Sequence, residues 1–293
     1  MKTLTALIRR EYLEHRGAFL YAPTLILVVL LVITASGVAF GRFQLDERMA
    51  LLPALKVFEF GTLALSALWA FYLMVALFFY YADAFSADLR NNAMLFWKSM
   101  PVSDFGMMAS KMLTGLSLFP LLILAAMLMT ALIVFGGTTL SALTLGSPVP
   151  SLLAYLSSLV QIGGFVVVAL ALALLWYAPF FAWVGLLSTL FRRWSIPLAF
   201  LIPGLAGLAE NLLFRNAGPE GGYLLSYLQR RMQFGDSRME VGDGFLAAGP
   251  FDSGQMLGRL VSSIDWTQFA GGLIVTALLV FVASEYRRRS VAS

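Results

Sequence analysis

The densest chemistry in the chain lies between Asp83 and Lys111, DAFSADLRNNAMLFWKSMPVSDFGMMASK, where charged, amide and aromatic side chains separate two long apolar runs. At helical spacing Phe85, Leu89, Ala93, Phe96, Trp97 and Met100 make one apolar stripe, and Asp88, Arg90, Asn91, Asn92, Lys98 and Ser99 lie away from it. Pro101 ends such a helix, and Ser103 or Asp104 stands where the next one needs a cap. Aromatics beside ion-pairing and amide groups supply binding chemistry, suited to docking a soluble partner. An ordinary juxtamembrane amphipathic helix has the same pattern, and periodicity alone does not separate the two.

Catalytic chemistry is poorly provided for. With no cysteine and a single histidine, His15, the chain can build neither a thiol nucleophile, a thiolate metal site nor an imidazole zinc triad. It contains no Gly-Lys dipeptide and therefore no phosphate loop, so it cannot bind ATP by that mechanism. The apolar cores of the runs, which begin at Met112 in the third, cover Ile196 to Ala209 in the fifth and end at Ser284 in the sixth, carry no Asp, Glu, Lys, Arg or His, which speaks against an ion-coupled transporter. Lys and Arg sit at run ends instead of along one stripe, so nucleic acid is not an expected partner. No catalytic, metal-ligating or cofactor-binding residue is expected in the chain.

The elements that must position the segment are set by composition. Of the 293 residues, 60% are hydrophobic and 12% charged, against roughly 25% charged in soluble domains, so an all-α polytopic membrane protein is expected. Apolar runs place six transmembrane helices at about 19–40, 60–81, 110–135, 152–191, 195–213 and 266–285. The first run is too long for a signal-peptide core and reads as a retained span. The fourth covers 40 residues, about 60 Å of helix, and could be a projecting helix, a helix broken at Pro179, or two spans.

Charge selects among these. With six spans and both termini cytoplasmic, inside segments carry 12 of the 20 basic residues against six acidic ones, and outside segments carry eight basic and ten acidic residues. Splitting the fourth run would instead put Arg287, Arg288 and Arg289 outside, against the positive-inside rule. One helix, kinked at Pro179 and ending at Arg192 and Arg193, is therefore expected. Residues 1–17 read as an interfacial amphipathic helix, with Leu4, Leu7, Ile8 and Tyr12 opposite Lys2, Arg9, Arg10 and Glu14. Residues 18–293 then form a single transmembrane domain, with a cytoplasmic segment 83–104 and an extracytoplasmic loop 214–265 large enough for a cap or re-entrant helices. Arg9, Arg10, Arg192, Arg193, Arg287, Arg288 and Arg289 are expected to anchor the bundle against lipid headgroups. Thr62, Ser66, Ser117, Thr130 and Gln161 read mainly as packing residues and helix–helix hydrogen-bond partners.

The span layout, the N-terminal amphipathic helix and the RNNAMLFWKSMPVSDFGMMASK segment between spans two and three resemble the permease subunit of an ABC-2-type ABC transporter. In that family the segment comprises an Arg-containing helix, a Leu- or Ser-Pro-Val/Thr-Ser turn and a Lys opening the third helix, roles that fall here on Arg90, on Ser99 to Ser103 and on Lys111. The resemblance implies that 1–17 is an elbow helix and 83–104 a coupling helix. The coupling helix would be seated in a cleft of an ATP-binding subunit, with Asp88, Arg90, Asn91, Asn92, Phe96, Trp97, Lys98 and Pro101 at the contact. It further implies two ATP-binding subunits carrying ATP and Mg, a second permease copy or related permease chain, and an exporter in a bacterial inner (cytoplasmic) membrane. The long loop 214–265 and the 40-residue run depart from the pattern. A non-transport membrane protein for assembly or sensing, docking a soluble cytoplasmic partner through the same segment, is the alternative.

Overall fold

The computed structural model describes residues 2–40, 53–90, 103–213, 222–235 and 251–290, and these are all-helical apart from short connections. Helix α1 (Lys2–Arg16) passes through a π-helical turn (Gly17–Tyr21) into α2 (Ala22–Ala39). There follow α3 (Ala54–Arg90), α4 (Asp104–Leu116), α5 (Leu118–Thr144) and α6 (Leu152–Phe191). A 3₁₀ turn (Arg192–Trp194) leads to α7 (Ser195–Leu213), then α8 (Gly222–Met232), α9 (Ser253–Ser263) and α10 (Trp266–Ser290).

Among the described residues five stretches are long and apolar enough to cross a membrane: Thr5–Ala39, Ala54–Ala87, Phe105–Thr144, Leu152–Leu213 and Trp266–Arg289. The fourth contains a reversal. The indole of Trp183 lies 3.4 Å from the Ala199 carbonyl, whereas 16 residues of straight helix would separate them by about 24 Å, so α7 folds back along α6. Arg192 makes the turn with φ of 50°, the one positive φ at a non-glycine among the described residues. Helix α6 is continuous over all 40 residues with Pro179 inside it.

Side-chain oxygens start several of these helices. Ser103 Oγ accepts from Gly106 N at 3.1 Å, Ser151 Oγ from Ala154 N at 3.2 Å and Asp252 Oδ1 from Gln255 N at 3.1 Å. The main core is aromatic and sits toward the end of the bundle that holds α1 and the C-terminal end of α10: Phe19, Tyr80, Tyr81, Phe85, Phe119 and Phe181, with Met108 and Met112. Helices pack closely where one side chain is missing. Gly185 receives the Phe85 ring, and Gly137 the Thr34 methyl. By contrast α2 keeps Leu25, Val32 and Ile33 more than half exposed, at 65%, 57% and 60%, a surface whose solvent is lipid.

The charge-free spans expected from the apolar runs are not what the helices contain. The helices are longer than the runs that nucleate them, and their added turns bury Glu11, Glu59, Lys111 and Arg287, while α8 buries Arg231. Glu59, fully buried on α3, accepts from Ser158 Oγ at 2.6 Å and from Phe251 N at 3.3 Å, and Lys56 Nζ lies 3.0 Å from its other oxygen. Gln161 accepts from Ser253 N at 3.2 Å. Together these contacts dock the start of α9 onto α3 and α6.

Candidate functional site: the junction of α1, α3 and α4

Helix α3 runs unbroken through Asp83 to Arg90, and α4 leaves residue 103 under the Ser103 cap, so the described helices deliver and collect the candidate segment as the sequence requires. Asp88 and Arg90 lie on the last turn of α3; Asn91, Asn92, Phe96, Trp97, Lys98 and Pro101 lie outside the described residues. What surrounds the two ends of the segment can be built residue by residue.

Lys111, two turns into α4, places Nζ 2.7 Å from Glu11 Oε1 of α1, and the two side chains are each 3% exposed. Tyr80 of α3 donates its hydroxyl to Glu11 Oε2 at 3.0 Å, with the Lys111 carbonyl 3.1 Å away as an alternative acceptor. Tyr81 donates to the Met112 carbonyl at 2.9 Å. One carboxylate from α1 thus joins an ammonium from α4 and a phenol from α3, a hundred residues apart along the chain. In apolar surroundings such a pair is held by mutual need: removing either charge leaves the other buried alone, a loss of about 3–5 kcal/mol.

Aromatic packing fixes the same three elements. Phe19 and Phe119 stack at 3.8 Å between centroids, and the His15 ring stands edge-on to Tyr80 at 4.7 Å. Glu11, Glu14 and His15 offer ligand atoms within 4.8 Å of one another. Several of their atoms have partners inside the protein: both Glu11 oxygens with Lys111 and Tyr80, Glu14 Oε1 with Arg10 at 2.7 Å, and His15 Nδ1 3.1 Å from the Glu11 carbonyl. The arrangement ties α1 to α3 and α4.

The expected anchors separate into two kinds. Arg9, Arg192, Arg193, Arg288 and Arg289 are exposed and Arg10 partly so. Arg288 and Arg289 both reach Glu285, at 2.8 Å each. Arg287 is fully buried on the α10 face that meets α4, its guanidinium 3.9 Å from Met107 Sδ. It is positioned for holding α10 to α4 more than for meeting headgroups. Of the mild polar residues, Thr130 accepts from the Trp69 indole at 2.8 Å, a helix–helix bond of the kind the sequence reading assigns to them.

No local pattern announces a contact between α1 and α4, so the Glu11–Lys111 pair is not legible in the sequence: Glu11 lies in the charged run Arg9 to Arg16, and only Lys111 stands without a charged residue close by. Compared with known proteins, the chain matches no family model, no curated protein and no solved structure.

Proposed function

We propose that this chain is the membrane-spanning permease subunit of an ATP-driven exporter of the ABC-2 type, coupled to separate ATP-binding subunits through residues 83–104. The observation that carries the reading is where the segment sits: between the two helices, α3 and α4, that Tyr80 and Lys111 clamp to the same carboxylate of α1. A push on the segment reaches α1, α3 and α4 as one body, because the charges joining them are costly to separate. Counting α6 and α7 as two crossings gives six, which returns both termini to one side and keeps the basic ends of α1 and α10 together. The chain itself has no means of binding ATP by a phosphate loop.

In this reading ATP-driven closure of two docked subunits displaces the segment in each of two permease chains. The shift passes through the Glu11–Lys111–Tyr80 junction into the crossing helices. Test: the tagged chain is co-expressed with its genomic neighbours, and any ATP-binding subunit captured with it is quantified. Arg90→Ala and Trp97→Ala are expected to lose most of it while the chain remains in the membrane. Undiminished capture with both variants sinks the docking assignment.

A further inference from the structure

At the other end of the bundle, α8 is seated among α6, α7 and α10 in an unusual way. Its first amides, Tyr223 N and Leu224 N, each donate to Glu210 of α7 at 2.8 Å. Its last carbonyls, Arg231 O and Met232 O, accept from the Trp176 indole and the Tyr177 hydroxyl of α6, at 2.7 Å each. Both ends of the helix are therefore capped by other elements. Between the caps no apolar side chain is fully buried: Leu224, Leu225 and Leu228 are half-buried, Leu225 against Gly207 of α7, the fully buried residues of α8 are Gly222 and Arg231, and Tyr223, Tyr227 and Met232 are 61%, 40% and 67% exposed.

Arg231 enters the bundle itself. Its guanidinium lies over the Trp176 ring at 4.2 Å, donates from Nη1 to the Gln268 carbonyl at 2.7 Å and from Nη2 to the Trp176 carbonyl at 2.9 Å, and is 2% exposed. Pro179 stands beside it, having removed the amide that would otherwise bond Leu175 O. The slot exists because residue 272 is glycine: a Cβ there would overlap Arg231 Nη2 and come within 3.1 Å of Pro179 Cγ. Gly272 lies six residues into α10, about 9 Å along its axis, so the charge sits within the length of a candidate membrane span.

Among the described residues no carboxylate lies within ion-pair distance of Arg231, and its Nε has no hydrogen-bond partner. When this guanidinium leaves for water it recovers its hydration and strands no counter-charge behind it. A helix held by two caps, one such cation and half-buried leucines, with no fully buried apolar side chain, has the features of a locally unfolding unit.

We propose that α8 is a releasable plug, latched by Arg231 in the slot that Trp176, Pro179 and Gly272 form between α6 and α10. Release of the latch lifts α8 and admits water between those two helices. The device stands on its own geometry and does not rest on the exporter reading.

The chain has no cysteine, so a single introduced thiol reports the event. Thr276, 9% exposed and bonded to the Gly272 carbonyl at 2.8 Å, lies one turn further along the same face of α10. In the full-length chain in lipid nanodiscs, Thr276→Cys is to be modified by a water-soluble maleimide, which reaches both faces. The plug predicts slow modification with Arg231 present and a rate at least about tenfold higher with Gly272→Ala, which fills the slot and evicts the guanidinium; tenfold in an opening equilibrium is about 1.4 kcal/mol. It predicts a rate below that of the parent with Arg231→Met, which keeps the bulk but gains no hydration on leaving. Gly272→Ala protein that stays monodisperse with an unchanged rate overturns the proposal. So does an Arg231→Met rate as high as that of Gly272→Ala, because Arg231 would then be packing alone.

Discussion

Two buried cations, one near each end of the bundle, solve the same problem differently. Lys111 meets a carboxylate, Glu11, at 2.7 Å with a phenol on the second oxygen. Arg231 meets two helix carbonyls and an indole face. Separating the first pair leaves opposite charges stranded in apolar surroundings, so α1, α3 and α4 move together. Withdrawing the second leaves only neutral acceptors, so α8 can part from α6 and α10. The difference teaches that burial of a charge does not by itself make an element rigid; what is left behind when it departs decides.

The largest effect should come from unbalancing the first pair. Lys111→Met or Glu11→Ala is expected to cost about 3–5 kcal/mol, read by thermal unfolding in detergent. The double variant Glu11→Gln with Lys111→Met should recover much of that, because no unpaired charge remains. Additive losses would break the comparison by showing that the pair is not coupled. Next comes Gly272→Ala, expected to destabilise by about 1–3 kcal/mol through overpacking against Arg231 and Pro179, and to act locally: proteolytic sensitivity should rise around 222–235 and not around α1. Arg231→Met should be smaller, within about 1.5 kcal/mol of the parent in the same unfolding measurement. A loss as large as that of Lys111→Met would erase the distinction between the two cations.

The smallest expected effect concerns how α10 begins. Asp265 accepts from the Thr267 hydroxyl and from the amides of Gln268 and Thr267, and these bonds hold its carboxyl below the usual aspartate range. A lowered pKa in the fold means stabilisation that is present above the ordinary aspartate pKa and lost as pH falls through the lowered value. Asp265→Asn should therefore flatten the acid limb of the stability profile, with little change at neutral pH. An unaltered acid limb would remove Asp265 from the account.

What the sequence made legible follows from range. Helix α6 spans 152–191 and α7 195–213 as the apolar runs require, and Ser103 caps α4, because hydropathy and capping are local properties. The seat of α8 was not legible beyond the possibility of re-entrant helices in 214–265, since Trp176, Arg231 and Gly272 come from three distant elements and only the fold superposes them. The same holds for Glu11 and Lys111. Counting charges within apolar runs understated the buried charge, because α3 and α4 begin before their runs do and carry Glu59 and Lys111 into the bundle. The residues proposed to dock a partner, Asn91 to Pro101, are read from sequence alone.

The central claim is that the clamped junction serves a partner that hydrolyses ATP. It is tested most directly by native mass spectrometry of the tagged chain, co-expressed with its genomic neighbours and extracted in mild detergent, with ATPase activity assayed on the same sample. The account predicts two copies of this chain, or this chain with a related permease, bound to two ATP-binding subunits that hydrolyse ATP. A lone chain, or a complex with a partner devoid of ATPase activity, would contradict it and favour assembly or sensing.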